Sequence, residues 1–170
     1  MAIALVANAG AAGDGTTATT AAIDTTGANF LVMATSRFST GAFSVSDSKG
    51  NTWTPLTLID SGFGVAQLYY VANPGSVGSG HTFSCTGSSQ FPAMCAAAFS
   101  GVLAASPFDQ QNGAIGLASG LITPSQDNES IISGICFGSA DTVSVDSGLT
   151  ITNQINFVGG VNFGSALAYK

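Results

Sequence analysis

Apolar and polar positions alternate with a period of two along much of this chain. In residues 81–86, His81, Phe83 and Cys85 share one parity and hydroxyl residues share the other, which is typical of a half-buried strand. Residues 30–35 form a continuous apolar run, long enough for a strand buried on both faces and short for a helix. Residues 91–100 form a second long apolar run. No stretch has a convincing 3.6-residue apolar period, so the pattern predicts strands throughout.

The spacing of turns predicts roughly ten short strands, as in an all-β sandwich. We expect one domain over residues 1–170, folded as a single antiparallel β-sandwich that is jelly-roll-like rather than immunoglobulin-like. The first strand is predicted at residues 3–7, and a Gly- and Asp-rich loop follows it at residues 8–16. A long connection is predicted at residues 101–113, with one further short strand within residues 115–122.

The stretch from residue 42 to residue 56 contains the sequence Asp-Ser-Lys-Gly-Asn-Thr-Trp and predicts a β-hairpin. Asp47 can accept hydrogen bonds from nearby backbone amides, and Gly50 and Asn51 can supply the positive φ values of a tight reversal. The only tryptophan, Trp53, follows the turn directly. We therefore expect the other strands to be arranged around this hairpin.

Charge is scarce: 7% of the residues are charged, against about 25% in an average domain, and the net charge is −6. Binding to nucleic acid or to an anionic membrane needs Lys and Arg, so neither partner is expected. A neutral exterior rich in Ser, Thr and Ala fits a protein that packs against neighbours. The first residues lack the basic region and long apolar core of a signal peptide, so we expect synthesis in the cytoplasm without export.

Three cysteines, Cys85, Cys95 and Cys136, have neither the spacing of a zinc site nor the number of a disulfide framework. Buried free thiols are one interpretation. A disulfide between Cys85 and Cys95, across neighbouring strands, is the other.

Candidate catalytic and metal-binding residues are few. His81 is the only histidine, and no G-x-S-x-G sequence marks a nucleophile beside it, so we interpret it as structural. Asp127 and Glu129 could form a glycosidase-like pair but share one loop, where acids usually improve solubility. Asp47, Asn51 and the loop that contains Asp14 could bind calcium, although turn chemistry explains them as well. We expect no enzymatic activity, no cofactor and no metal.

Three aromatic residues, Trp53, Tyr69 and Tyr70, are candidates for a platform on which a glycan ring could stack. Because Tyr69 and Tyr70 are adjacent in a predicted strand, one of them must point to each face. Packing in the core is the alternative interpretation for all three.

Several segments together carry a resemblance: residues 25–32, 47–53, 68–74, and 99–102 with 106–109. They resemble a loosely defined group of β-sandwich domains that occur in bacterial surface proteins and in structural proteins of tailed phages. The resemblance implies an exterior virion protein, such as a capsid decoration (cement) protein, or a fibre or tail component. It implies no catalytic residues.

Two functions are therefore expected. The first is a structural virion protein that contacts the major capsid protein or another virion protein and forms homo-oligomers, with strand edges and residues 1–20 as contact elements. The alternative is a carbohydrate-binding or receptor-binding module of a phage tail, a fibre or a cell-surface adhesin. In that case residues 8–16 and 101–113 would form the ligand groove.

Overall fold

A computed structural model describes residues 2–38, 40–41, 43–87, 91–138, 142–157 and 163–170 of the 170-residue chain. Within these ranges every regular element is a strand and every pairing between strands is antiparallel, which confirms the predicted all-β class. None of the described residues belongs to a helix that could span a bilayer. The strands are β1 (Ala4–Ala12), β2 (Thr17–Thr19), β3 (Phe30–Phe38), β4 (Phe43–Asp47), β5 (Thr54–Pro55), β6 (Ile59–Asp60), β7 (Gly64–Ala72), β8 (Phe83–Gly87), β9 (Pro92–Ser100), β10 (Ile132–Phe137), β11 (Thr150–Phe157) and β12 (Phe163–Tyr169).

A central sheet with the strand order β1-β9-β3-β7-β5 organises the molecule, and β6 also pairs with β7. Its inner strands β3 and β9 are buried along almost their whole length, as the continuous apolar run at residues 30–35 predicted. Successive side chains of β3 point to opposite faces. Leu31 and Met33 enter one apolar cluster, the first core, whereas Val32 and Ala34 enter another, the second core.

Each face of the central sheet is covered by a smaller sheet, so the stack is three layers deep. The sheet β2-β8-β4 packs on the first core through Phe83 and Cys85. The sheet β10-β12-β11 packs on the second core through Leu167 and Ile155. Because β3 and β9 are apolar on both faces, two covering sheets are needed to remove them from water.

The prediction that residues 42–56 form a β-hairpin is wrong, because the two strands do not pair with each other. The first strand, β4, pairs with β8, and the second, β5, pairs with β7 in the central sheet. The turn therefore carries the chain from one layer to the next, and we call residues 47–53 the corner. The residues that favour a tight turn are the same in a hairpin and in such a corner, so they do not distinguish the two. Ala42 lies outside the described residues.

The first strand is longer than predicted, because residues 8–12 continue β1 instead of forming a loop. At Gly10 β11 lies close over β1, because an added Cβ would be 3.1 Å from Asn153 Oδ1 and that side chain would have to shift slightly. The strand expected within residues 115–122 is absent, and residues 101–131 contain no strand.

Candidate functional site

The Asp47 carboxylate holds the corner together. It accepts hydrogen bonds from the backbone N–H of Lys49 at 2.8 Å, the backbone N–H of Asn51 at 3.3 Å and Trp53 Nε1 at 2.8 Å. Gly50 adopts the predicted positive φ of 74°, whereas Asn51 does not. The predicted role of Asp47 as an acceptor for turn amides is confirmed, and its side chain is fully buried.

The corner is also fastened to residues 76–82. Lys49 Nζ donates to the carbonyl of Ser79 at 2.9 Å, and Asn51 Nδ2 donates to the carbonyl of Ser76 at 2.9 Å. The backbone N–H of Ser48 donates to the Thr82 carbonyl at 2.9 Å. Asp47, Ser48, Lys49 and Asn51 thus each have a hydrogen-bond partner within the protein. These bonds explain why polar residues occupy the corner without invoking a bound ion.

His81 lies beneath the corner, between Thr25 and Asp47. Its Nδ1 is 2.8 Å from Thr25 Oγ1, and its Nε2 is 3.3 Å from Asp47 Oδ1 in an arrangement too poorly aligned for a full hydrogen bond. With a carboxylate facing Nε2, we assign the proton to that nitrogen, so that Nδ1 accepts from the Thr25 hydroxyl. Burial lowers the pKa of His81, and the Asp47 charge only partly opposes this effect.

The order hydroxyl, imidazole, carboxylate is that of a catalytic triad. However, Thr25, His81 and the Asp47 side chain are all fully buried, and His81 stacks on Phe83 with ring centroids 4.3 Å apart. A substrate has no route to the Thr25 hydroxyl in this arrangement. The geometry accords with the structural role predicted for His81.

The three candidate glycan-stacking residues are not brought together as one platform. Tyr69 is 5% exposed in the first core, its hydroxyl donates to the Phe43 carbonyl at 3.1 Å, and burial raises its pKa. Trp53 packs against the same core, and its Nε1 donates a hydrogen bond to Asp47. Tyr70 points to the opposite face of β7, as predicted for adjacent strand residues.

The Tyr70 ring stacks against two phenylalanine rings. Phe30 stacks with centroids 5.7 Å apart, and Phe108 stacks with centroids 5.9 Å apart. A sugar could therefore reach the Phe108 ring, which is partly exposed, but would find the Tyr70 ring already stacked.

The cysteines are free thiols. Cys85 lies in the first core and Cys95 in the second, on opposite sides of the central sheet, so the alternative of a bridge between them is wrong. Burial raises the pKa of Cys85 and of Cys95 to about 12, and that of Cys136 to about 11. None of the three has the lowered pKa of a nucleophilic thiol.

Hydroxyl side chains form two rows across the outer face of the sheet β2-β8-β4. The register aligns one row through Thr86 and the other through Ser84. Two pairs within the rows are 2.9 Å and 2.8 Å apart. The rows consist of Thr17, Thr86 and Ser44, and of Thr19, Ser84 and Ser46. Both rows are without charged side chains.

One edge of the central sheet, the outer side of β1, pairs with no other strand in the described part of the chain. Its nine residues include neither a charged residue nor proline, although natural edge strands commonly carry such residues to prevent pairing with other chains. A bulge at Val6 is the one irregularity, and Val6 is 36% exposed. This edge lies within residues 1–20, the segment predicted to make assembly contacts; Met1 is outside the described residues.

Residues 101–131 lie almost entirely at the surface. They are attached to the body through Asn73 Nδ2, which donates to the Ala104 carbonyl, and through Gln111, whose side chain bonds the backbone and hydroxyl of Thr57. The five large exposed apolar side chains in this segment are Leu103, Phe108, Ile115, Leu117 and Leu121. Contiguous apolar patches are a common feature of interaction surfaces, whereas single exposed side chains are ordinary.

Among the described residues, His, Cys, Asp and Glu nowhere form a group of three or more that could hold a metal ion. No protein-family model, curated protein or solved structure matches this chain.

Proposed function

We propose that this protein is a structural component of a virion, a decoration protein on the exterior of a phage capsid. The observation that carries the proposal is the charge-free edge of β1, which pairs with no other strand among the described residues. An edge of this kind offers a row of backbone donors and acceptors to a strand of a partner, which is the recognition mode called β-augmentation. The partner would be the major capsid protein or another virion protein.

Surface composition supports the same role. With 7% charged residues, the chain has little long-range repulsion to oppose close packing against neighbours. The phage setting comes from the resemblance of the segments quoted above. At a junction between capsomers, the added strand and the apolar area buried with it would oppose the outward pressure of packaged DNA.

Incorporation into particles tests this proposal. Val6→Lys places a charge on the β1 edge at a position that is already exposed, so folding should be retained while edge pairing is opposed. Ser46→Lys is the matched control, because Ser46 is exposed on β4, an edge strand of another sheet. Particles from cells that produce each variant are purified by density gradient, and copies per particle are counted by mass spectrometry.

We expect wild-type protein and Ser46→Lys at high copy number and Val6→Lys at roughly a tenth of that number or less, as loss of one key contact would give. Absence of the wild-type chain from purified particles would refute the virion role. Equal incorporation of both variants would refute the β1 edge as the contact.

A second candidate function is binding of a neutral glycan, and the hydroxyl rows favour it. They present aligned donors and acceptors on an exposed face without charges, which suits a polyhydroxylated ligand. Glycan-array binding that is lost in a Thr19→Val, Thr86→Val double variant, and retained in Val6→Lys, would support this candidate over the first.

A further inference from the structure

Residues 109–125 form an arm whose two passes are joined by side chains instead of by a strand ladder. Gln110 Nε2 donates to the Thr123 carbonyl at 2.8 Å, and Asn112 Nδ2 donates to the Leu121 carbonyl at 3.0 Å. The Ser125 hydroxyl donates to Asp109 at 2.8 Å. These bonds join the two passes, and the residues between them, 114–121, which we call the tip, are all exposed.

The tip is apolar and almost fully accessible. Ile115 is 68% exposed, and Leu117 and Leu121 are almost fully exposed. No charged residue occurs between Asp109 and Asp127. Isolated exposed leucines are ordinary, but three on one uncharged tip form a patch whose exposure is unfavourable in a free monomer.

The same chain has a groove that is also largely apolar, with a volume of about 340 Å³. Four phenylalanines dominate its lining: Phe38, Phe63, Phe137 and Phe163. Phe63 is 77% exposed and Phe38 43% exposed at its rim. Arg37 is the only charged residue among the described residues of the lining, and its fully buried side chain stacks on Phe43, 5.0 Å from the ring centroid. An aliphatic side chain could thus enter the groove without burying a new charge.

Arm and groove are neighbours on the surface. Gln111, at the base of the arm, bonds Thr57 just before β6, and the turn after β6 carries Phe63 at the rim of the groove. When an exposed apolar element and a complementary groove lie side by side, two copies related by a two-fold axis can each insert into the other.

We propose that the tip of one copy occupies the groove of a second copy, and that the exchange is reciprocal. This inference rests on the proposed function in one respect: the dimer would be the form in which the protein joins the particle. Five exposed apolar side chains, three on the tip and two at the rim, carry on the order of 100 Å² each, or roughly 500 Å² per copy. That is at the low end of specific interfaces, and it indicates a reversible dimer.

A charge exchange tests the pairing directly. Leu117→Lys alters the tip and Phe63→Glu alters the rim; both side chains are exposed, so neither change disturbs the core. Leu103→Lys is the matched control, because Leu103 is 67% exposed outside the arm. Sedimentation velocity at about 1 to 100 µM covers the affinities expected for an interface of this size.

Wild-type protein and Leu103→Lys should dimerise, and each interface variant alone should dimerise at least about tenfold more weakly. An equimolar mixture of the two interface variants should recover dimer, because one contact then pairs Lys with Glu and the other has wild-type tip and rim. A wild-type chain that stays monomeric would overturn the inference, as would a mixture with no recovery.

The Val6→Lys variant separates this inference from the proposed function. It should dimerise normally in solution, because the β1 edge takes no part in the exchange of arms. If particles contain the protein but the wild-type chain never dimerises in solution, the exchange of arms is refuted. The proposed virion role is then unaffected.

Discussion

Removing the Asp47 carboxylate should destabilise the whole fold, because this buried side chain holds together the corner that connects two layers. Asp47→Ala deletes the acceptor of two short bonds, from the backbone N–H of Lys49 and from Trp53 Nε1, both 2.8 Å. A hydrogen bond to a charged group contributes about 1.5 to 3 kcal/mol, so the two together predict a loss of about 3 to 6 kcal/mol in the free energy of unfolding. At about 2 to 4 °C per kcal/mol for a domain of this size, the melting temperature should fall by roughly 6 to 24 °C.

Urea unfolding measures this loss with two probes. Far-UV circular dichroism follows the strands, and the emission of Trp53, the only tryptophan, follows the corner. Coincident transitions would justify the two-state analysis. Asp47→Asn should cost about half as much, since it keeps one acceptor oxygen and turns an N–H group towards Trp53 Nε1.

Asp14→Ala is the matched control, because Asp14 is exposed in the loop after β1, and its removal should change stability by less than about 0.5 kcal/mol. The reasoning would be refuted if Asp47→Ala and Asp14→Ala lay within about 1 kcal/mol of each other, a difference that two lost bonds must exceed.

Two further predictions concern titratable groups. The lowered pKa of His81 favours its neutral form in the fold, so this residue's contribution is fully present above pH 6.5 and is lost as the pH falls through the folded pKa. Lys49 adds to the lowering and Asp47 opposes it; His81→Gln should therefore flatten the decline in stability between pH 7 and pH 5.5, measured by urea titration, and an unchanged decline would contradict this. The thiols should react slowly with a disulfide reagent at pH 8 in the native state, with Cys136 first because it is the least buried, and all three should react at once in denaturant. Fast native reaction of Cys95 would show that the second core is open.

The sequence predicts the inner strands well because burial leaves a strong composition signal. The apolar run at residues 30–35 has no polar parity, and only a strand covered on both faces requires that. The same observation could have predicted a third layer, since one covering sheet leaves the other apolar face in water. The expected single sandwich undercounted the sheets for this reason.

The corner shows what local sequence cannot determine. Asp47 and Gly50 specify a turn, and both behave as predicted. Whether β4 then pairs with its successor depends on β8, about 40 residues further along the chain, which is the better partner. No property of the turn contains that information.

Sequence alone could not show how Trp53, Tyr69 and Tyr70 are placed, for a related reason. Adjacency placed Tyr69 and Tyr70 on opposite faces, which the alternation of a strand dictates. It could not reveal that Phe108 comes from a distant, irregular segment to stack on Tyr70. The extension of β1 through residues 8–12 was missed because Ala and Gly carry little strand signal, and the pairing with the alanines of β9 compensates for it.

Hydrogen exchange of the β1 amides, compared between the isolated chain and purified particles, tests the central claim most directly. We predict that the outward-facing amides of Ala4–Ala12 exchange rapidly in the isolated chain and become protected in the particle, while those bonded to β9 are protected in both. Outward-facing amides that exchange equally fast in the particle would contradict the claim that this edge is built into a larger shell.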